Sequence, residues 1–189
     1  MVSLAQLWAP ILLSAVLVFV ASSIIHMLIQ WHKGDYKGLQ NEDEVRAAIR
    51  KGNPPPAMYI LPYCSDMKKM AEPDMQKKYA EGPNAVLTII KPGLPTMGPM
   101  LGKWFLYNLF ISLVVACLAA RVFPPGTEYL PIFKAVGIAA WLGYAGATPS
   151  SSIWMGRPWS ITIKDMVDGL IYAGVTAGSF GWLWPKLAA

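Results

Sequence analysis

The chain has 189 residues, of which 54% are hydrophobic and only 14% are charged. Soluble domains usually carry roughly 25% charged residues, so this composition excludes an ordinary small soluble domain and predicts an integral membrane protein. The formal net charge is +5, but we find no basic module with base-stacking or groove-reading side chains. The charge therefore indicates contact with anionic membrane lipids and no nucleic-acid partner.

Four apolar stretches reach, or nearly reach, the roughly 20 residues that a helix needs to cross a membrane. They cover residues 8–31, 104–123, 131–148 and 163–184. The predicted fold is an all-α integral membrane protein with four transmembrane helices, the third of which is short enough to need little tilt. No basic residue precedes the first apolar run, and that run is longer than the core of a typical signal peptide, so we expect it to be retained.

Between the first two predicted spans lies a polar, proline-rich segment of roughly 70 residues, 32–103. The stretch that begins at Asn41 predicts a short helix with Asn41 as its N-cap and a stop at Gly52. Residues 59–63 and 86–90 have strand-like composition, so a two-stranded pairing is possible. Pro73 suits the first turn of a helix between them.

Lysine and arginine are distributed unevenly about the predicted spans, which predicts the orientation in the membrane. The larger group of basic residues lies on the same side of the membrane as residues 32–103, and it consists of Lys33, Lys37, Arg46, Arg50, Lys51, Lys91, Lys103, Arg157 and Lys164. The opposite side receives Arg121, Lys134 and Lys186. This pattern predicts a multi-pass protein of the bacterial inner membrane, with residues 32–103 in the cytoplasm and both termini outside it.

Small residues recur at four-residue spacing in the third and fourth predicted spans. This spacing lets helix backbones approach closely where lipid removes the hydrophobic drive for association. It predicts tight packing within the bundle, or packing against helices of other membrane subunits. The residues concerned are Ala135, Ala139, Gly143, Ala147, Gly174 and Gly178.

Ser22, His26 and Gln30 follow one another at four-residue spacing and predict a polar stripe inside the membrane. Hydrogen bonding to a neighbouring helix is the favoured interpretation, and axial ligation of a haem or chlorophyll-type pigment by His26 is the alternative. On a continuous helix His32 lies about 240° around and ~9 Å along from His26. The two imidazoles are therefore not expected to share a site.

Asp165 and Asp168 lie one turn apart at the start of the fourth span. We expect them to complement the helix dipole and to pair with Arg157 and Lys164, in preference to sharing a proton or cation. No zinc-protease, paired-cysteine, phosphate-loop or nucleophile-elbow pattern is present in the sequence, so it predicts no enzyme and requires no cofactor. Cys64 and Cys117 lie in different settings, and no disulfide is expected between them.

These observations predict a non-catalytic accessory or structural subunit of a larger membrane complex. It would dock on other integral membrane subunits through its small-residue helix faces. A cofactor-binding subunit that uses His26 is the alternative. A small transporter is a further alternative, less favoured because the two halves of the chain show no convincing repeat.

Overall fold

The structure is a computed structural model that describes residues 2–186. It is mostly helical. The chain divides into two units, and each is described by itself. The helical unit consists of residues 2–36 and 96–186, and the smaller unit of residues 37–95.

The helices of the described chain are, in order, α1 (Trp8–Ser23), α2 (Glu42–Gly52), α3 (Pro73–Glu81), α4 (Met97–Val122), α5 (Tyr129–Ala145), α6 (Thr148–Met155) and α7 (Trp159–Trp182). A 3-10 turn, Leu4–Leu7, precedes α1, and a π-helical turn, Ile24–Ile29, continues it. Another 3-10 turn covers Met67–Ala71. The two strands are β1 (Met58–Leu61) and β2 (Ala85–Thr88).

The smaller unit contains an antiparallel strand pair in which Tyr59 is opposite Leu87. This pairing overlaps the two segments whose composition is strand-like. Pro73 occupies the first turn of α3, as its missing N–H allows. Asn41 is the N-cap residue of α2 but makes no side-chain capping bond, and that helix ends in a left-handed residue, Asn53. Acidic side chains in the first turn of α2 complement the helix dipole instead.

Three helical stretches are long and apolar enough to cross a membrane: Leu4–Ile29, Met97–Val122 and Tyr129–Met155. The third includes both α5 and α6 and is longer than the predicted span 131–148. The remaining long helix, α7, is not among the three. It carries Lys164, Asp165 and Asp168 in its first turns, followed by several glycine and hydroxyl residues that lower its hydropathy.

The four long helices form a closed ring, because α1 packs against α4 and α7, and α5 packs against the same two helices. The apolar core occupies the half of this ring where α1 begins and α7 ends. It includes Leu7, Val115, Ile132, Val136, Ala177 and Phe180. Helix α7 buries polar residues together with small ones. Its modest hydropathy is therefore explained by a helix surface that faces protein instead of lipid.

Helices α5 and α7 approach most closely at two glycines of α7. A Cβ added to Gly169 would lie 2.6 Å from Ala145 Cβ, and one added to Gly181 would lie 2.7 Å from the Tyr129 ring. The sequence analysis had instead selected Gly174 and Gly178 as the packing glycines of this helix. Gly174 has no neighbour within 4 Å of an added Cβ, and Gly178 has only the Tyr129 hydroxyl, at 3.8 Å.

The predicted small-residue face of α5 is directed mainly away from α7. Ala135 and Gly143 are exposed, and Ala139 is half-buried. Ala147, which follows α5 as the N-cap residue of α6, is also exposed. Gly143 nonetheless contacts α4, because a Cβ added there would lie 3.0 Å from Ile111 Cδ1. The residues that α5 buries are Ile132, Val136, Ala140 and Ala145. Small residues thus do mediate close helix contact, but through a neighbouring face of the helix.

Candidate functional site: a histidine–aspartate cluster

The first membrane helix ends in a sharp reversal of the chain. Its last turn is π-helical, and Gln30 follows in the left-handed conformation with φ 53°. The Gln30 backbone N–H donates to the Ile25 carbonyl at 2.9 Å, and the Gln30 side-chain amide donates to the Met27 carbonyl at 2.9 Å. Gln30 is exposed and caps the helix, so the expected polar stripe ends at His26.

This reversal places the only two histidines of the chain beside each other. The His26 and His32 rings stack, with centroids 5.0 Å apart and an interplanar angle of 5°. The prediction that these imidazoles lie on different sides of the helix is wrong, because it assumed a helix that continues through residue 32. π-helical turns are often found at functional sites, and this one contains His26.

Each imidazole uses one ring nitrogen for an acceptor that fixes the ring. His26 Nδ1 lies 2.9 Å from the Ser22 carbonyl oxygen, and His32 Nδ1 lies 2.7 Å from Asp35 Oδ2. A carbonyl and an ionised carboxylate only accept hydrogen bonds, so both Nδ1 atoms carry the proton. Each ring is thereby left with its Nε2 for a second partner.

Both Nε2 atoms lie near the same carboxylate on α7. Asp168 Oδ2 is 2.9 Å from His32 Nε2 and 4.0 Å from His26 Nε2. The Asp168 side chain is only 5% exposed, and its second oxygen, Oδ1, is buried with no hydrogen-bond partner in the part of the chain that the structure describes. Among the described residues, no lysine or arginine pairs with Asp168.

The cations near the start of α7 pair with other carboxylates. Arg157 forms an ion pair with Asp165, which agrees with one of the expected pairings. Lys164 pairs instead with Asp35, and it also donates to the Trp31 carbonyl at 2.8 Å. Asp165 and Asp168 therefore have different partners.

Asp35 is held ionised at this site. The hydrogen bond from Lys164, supported by that from His32, keeps the pKa of the Asp35 carboxyl below its usual range despite some desolvation. With His32 neutral, Asp35, Asp168 and Lys164 together carry a net negative charge. A proton on His32 or a bound cation can offset that charge.

We name His26, His32, Asp35 and Asp168 the histidine–aspartate cluster. It contains the donor set of a transition-metal site. The ligand atoms of His26, His32 and Asp168 all lie within 4.8 Å of one another. Two imidazoles and one carboxylate suit divalent zinc or iron. Two ligand atoms that are each about 2.1 Å from a tetrahedral ion lie about 3.4 Å from each other. This separation falls between the distances from Asp168 Oδ2 to His32 Nε2, 2.9 Å, and to His26 Nε2, 4.0 Å. The acceptors on both Nδ1 atoms are typical outer partners of metal-binding histidines.

Ser22 links this end of α1 to α4. The Trp104 indole nitrogen donates to the Ser22 hydroxyl at 2.8 Å, and that hydroxyl donates to the Phe19 carbonyl at 2.9 Å. Ser22 thus makes the contact between helices that the polar stripe suggested. His26 uses its Nδ1 within its own helix.

Two members of the cluster, His32 and Asp35, were not among the predicted site residues. The signal for them is the spacing of a histidine and an aspartate three residues apart, directly after an apolar run. That spacing indicates a site only when the chain reversal at Gln30 is known.

No protein-family model matches the chain, and neither a curated protein nor a solved structure is significantly similar to it.

Proposed function

We propose that this chain is a membrane protein that binds one divalent transition-metal ion through His26, His32 and Asp168. The observation that carries the proposal is the convergence of two Nε2 atoms, each on a ring held through Nδ1, upon one buried carboxylate. Within residues 2–186 this carboxylate has no lysine or arginine partner. The ligands come from the end of the first membrane helix and the start of α7. The ion would therefore hold these two segments together.

A haem or chlorophyll-type pigment on His26 is less well supported by this geometry. The His32 ring stacks on His26 at 5.0 Å. The free His26 nitrogen also lies 4.0 Å from a carboxylate oxygen. A macrocycle needs an open plane around its axial ligand, whereas a single ion needs only the space between the three ligand atoms.

Metal titration of the purified protein tests the proposal. We expect chelator-treated protein in detergent to bind one equivalent of Zn²⁺ by calorimetry, and Co²⁺ in its place to give the visible absorption of a nitrogen- and oxygen-ligated ion. Asp168→Asn, His32→Gln and His26→Gln should each remove saturable binding. Asp35→Asn removes the carboxylate that holds His32 Nδ1 and also the ion pair with Lys164. It should weaken binding by about 10–100-fold.

Asp43→Asn is the matched control, because Asp43 lies on α2 with its side chain 96% exposed. It should bind metal like the wild-type protein. Absence of stoichiometric binding, or equal binding by wild-type protein and the His26 and His32 variants, would refute the metal site. His32 would then be an imidazolium that bridges two carboxylates.

We further propose that the chain crosses the bacterial inner membrane four times, with both termini outside the cytoplasm. Helix α7 has 24 residues, which correspond to about 36 Å and are long enough to span the hydrocarbon layer. Its packing between α1 and α5 supports a span in spite of its low hydropathy. In this orientation, which rests on the lysine and arginine distribution, the cluster lies on the cytoplasmic side.

An accessory role in a larger complex is the second proposal, and an exposed surface of the bundle favours it. Ala135, Gly143 and Ala147 are exposed, and a neighbouring groove between α4 and α5 is lined by Val115, Leu118, Ala119 and Ala139 among others. Such a surface suits a transmembrane helix of another subunit. Gentle purification from the native membrane tests this, since a monodisperse monomer with no co-purifying protein would contradict it.

A further inference from the structure

The bundle encloses a second polar group, which we name the axial polar cluster: Ser14, Asn108, Ser112, Tyr144, Tyr172 and Thr176. Each of the four long helices contributes to it. Ser14, Asn108, Ser112 and Thr176 are fully buried, and Tyr172 is 4% exposed. In a membrane bundle such residues are costly unless they are satisfied, so their convergence calls for a physical explanation.

Several contacts show that these side chains occupy neighbouring levels of the bundle. The Ser14 and Ser112 hydroxyls are 2.9 Å apart, which joins α1 to α4. The Tyr144 and Tyr172 ring centroids are 5.6 Å apart, which joins α5 to α7. The Tyr107 hydroxyl, one residue from Asn108, donates to the carbonyl of Gly143, one residue from Tyr144.

The hydrogen-bonding capacity of this cluster is far from filled by protein atoms. Among the described residues, neither side-chain atom of Asn108 has a hydrogen-bond partner, and the Tyr172 hydroxyl has none. The Tyr144 hydroxyl also lacks a hydrogen bond of good geometry, although the Ser112 and Thr176 hydroxyls lie near it. Asp168 Oδ1 is also without a partner, and Asp168 lies one helical turn before Tyr172. Five buried polar atoms on three helices are thus unsatisfied along the interior of one bundle. Leaving them dry would be unfavourable, because a buried polar group without a partner loses the hydrogen bonds that it makes to water in the unfolded chain.

We infer that the axial polar cluster binds a short chain of ordered water molecules that runs from Asp168 into the bundle. Buried waters typically make about three hydrogen bonds to groups that lack other partners, which is what Asn108 and the two phenols offer. From the level of His26 to that of Ser14 the polar region is about 18 Å long.

The water chain ends inside the protein. Beyond Ser14 the interior is formed by fully buried apolar side chains, among them Leu7, Ile132 and Phe180. This half of the core has no comparable group of unsatisfied side chains among the described residues. The bundle therefore has a hydrated half that opens toward the histidine–aspartate cluster and a dry half that closes it.

X-ray hydroxyl-radical footprinting of the wild-type protein tests the inference, because radicals formed from bound water modify adjacent side chains even when these are buried. We expect Tyr144 and Tyr172 to be oxidised at least several-fold faster than Phe180, a buried aromatic in the dry half. Tyr129, which is 48% exposed, serves as the positive reference. Rates for Tyr144 and Tyr172 as low as that for Phe180 would overturn the inference.

An Asn108→Leu variant supplies a second readout, since it replaces the amide by an apolar side chain of similar shape. If waters bind Asn108, the variant displaces them and leaves the two phenols unsatisfied, so its melting temperature should fall and Tyr144 oxidation should decrease. If the cluster is dry, the variant removes two unsatisfied atoms and its melting temperature should rise. A rise, or unchanged Tyr144 oxidation in a folded variant, would overturn the inference. A variant that fails to fold leaves the wild-type comparison decisive.

Discussion

Gly169→Ala should separate α5 from α7. The added Cβ would lie 2.6 Å from Ala145 Cβ and 3.5 Å from Ala145 Cα and N. Carbon atoms pack best at about 3.5–4.0 Å, so the deficit is about 1 Å. Ala145 has no flexible side chain that could yield, and the helix backbones must therefore move. Overpacking of this kind costs about 1–3 kcal/mol of unfolding free energy.

Gly174→Ala is the matched control, because an added Cβ there has nothing within 4 Å. Both variants gain the same helix propensity, up to about 1 kcal/mol, so the difference between them isolates the steric clash. Reversible unfolding in mixed detergent micelles measures that difference. Combining Gly169→Ala with Ala145→Gly should recover most of the loss. Equal stability of the two single variants, or no recovery in the double variant, would refute a close contact at Gly169.

Two further predictions concern orientation and acid stability. A reporter that is active only outside the cytoplasm should work when fused after Ala189 and fail when inserted near Gly82; the reverse pattern would contradict the proposed orientation. Because the pKa of Asp35 is lowered by Lys164, its ionised form stabilises the folded state above the ordinary aspartate range, and this contribution is lost as pH falls through the lowered pKa. Asp35→Asn should therefore be less stable than wild-type protein at neutral pH, with a difference that shrinks in strong acid. A difference that does not vary with pH would contradict the ion pair with Lys164.

Hydropathy was sufficient to predict a membrane protein and the approximate positions of three apolar helices, because spanning length and apolar composition are local properties. The sequence analysis also predicted a span at residues 163–184, but helix α7, which covers most of them, is not among the three apolar helices. Its polar residues face the interior of the bundle, and interior contacts are not a local property of the sequence. The proposal that α7 is a fourth span therefore rests on its packing against α1 and α5.

The candidate site was harder to predict because it depends on one backbone conformation. Glutamine is an ordinary helix former, so nothing local indicated that Gln30 would adopt a left-handed conformation and reverse the chain. That reversal decides whether His32 lies far from His26 or against it. The pairing of Lys164 with Asp35, 129 residues apart in sequence, depends on the same turn.

The choice of contact glycines shows a similar limit. Small residues in α7 were recognised as packing residues, but Gly169 and Gly174 are about 140° apart around a helix. Spacing alone cannot say which of these directions faces α5. In the structure Gly169 faces α5, and the sequence analysis did not select this residue.

The hydrogen bond between His32 and Asp168 joins residues that are 136 positions apart. During synthesis, the end of the first membrane helix therefore emerges long before its aspartate partner. Until α7 has been made, His26 and His32 have no contact with that carboxylate, and the hydrogen bond from Trp104 to Ser22 joins this end of α1 to α4. The contact can form only after α7 has been synthesised, so a chain truncated before residue 168 would leave the His26 and His32 rings without their carboxylate partner.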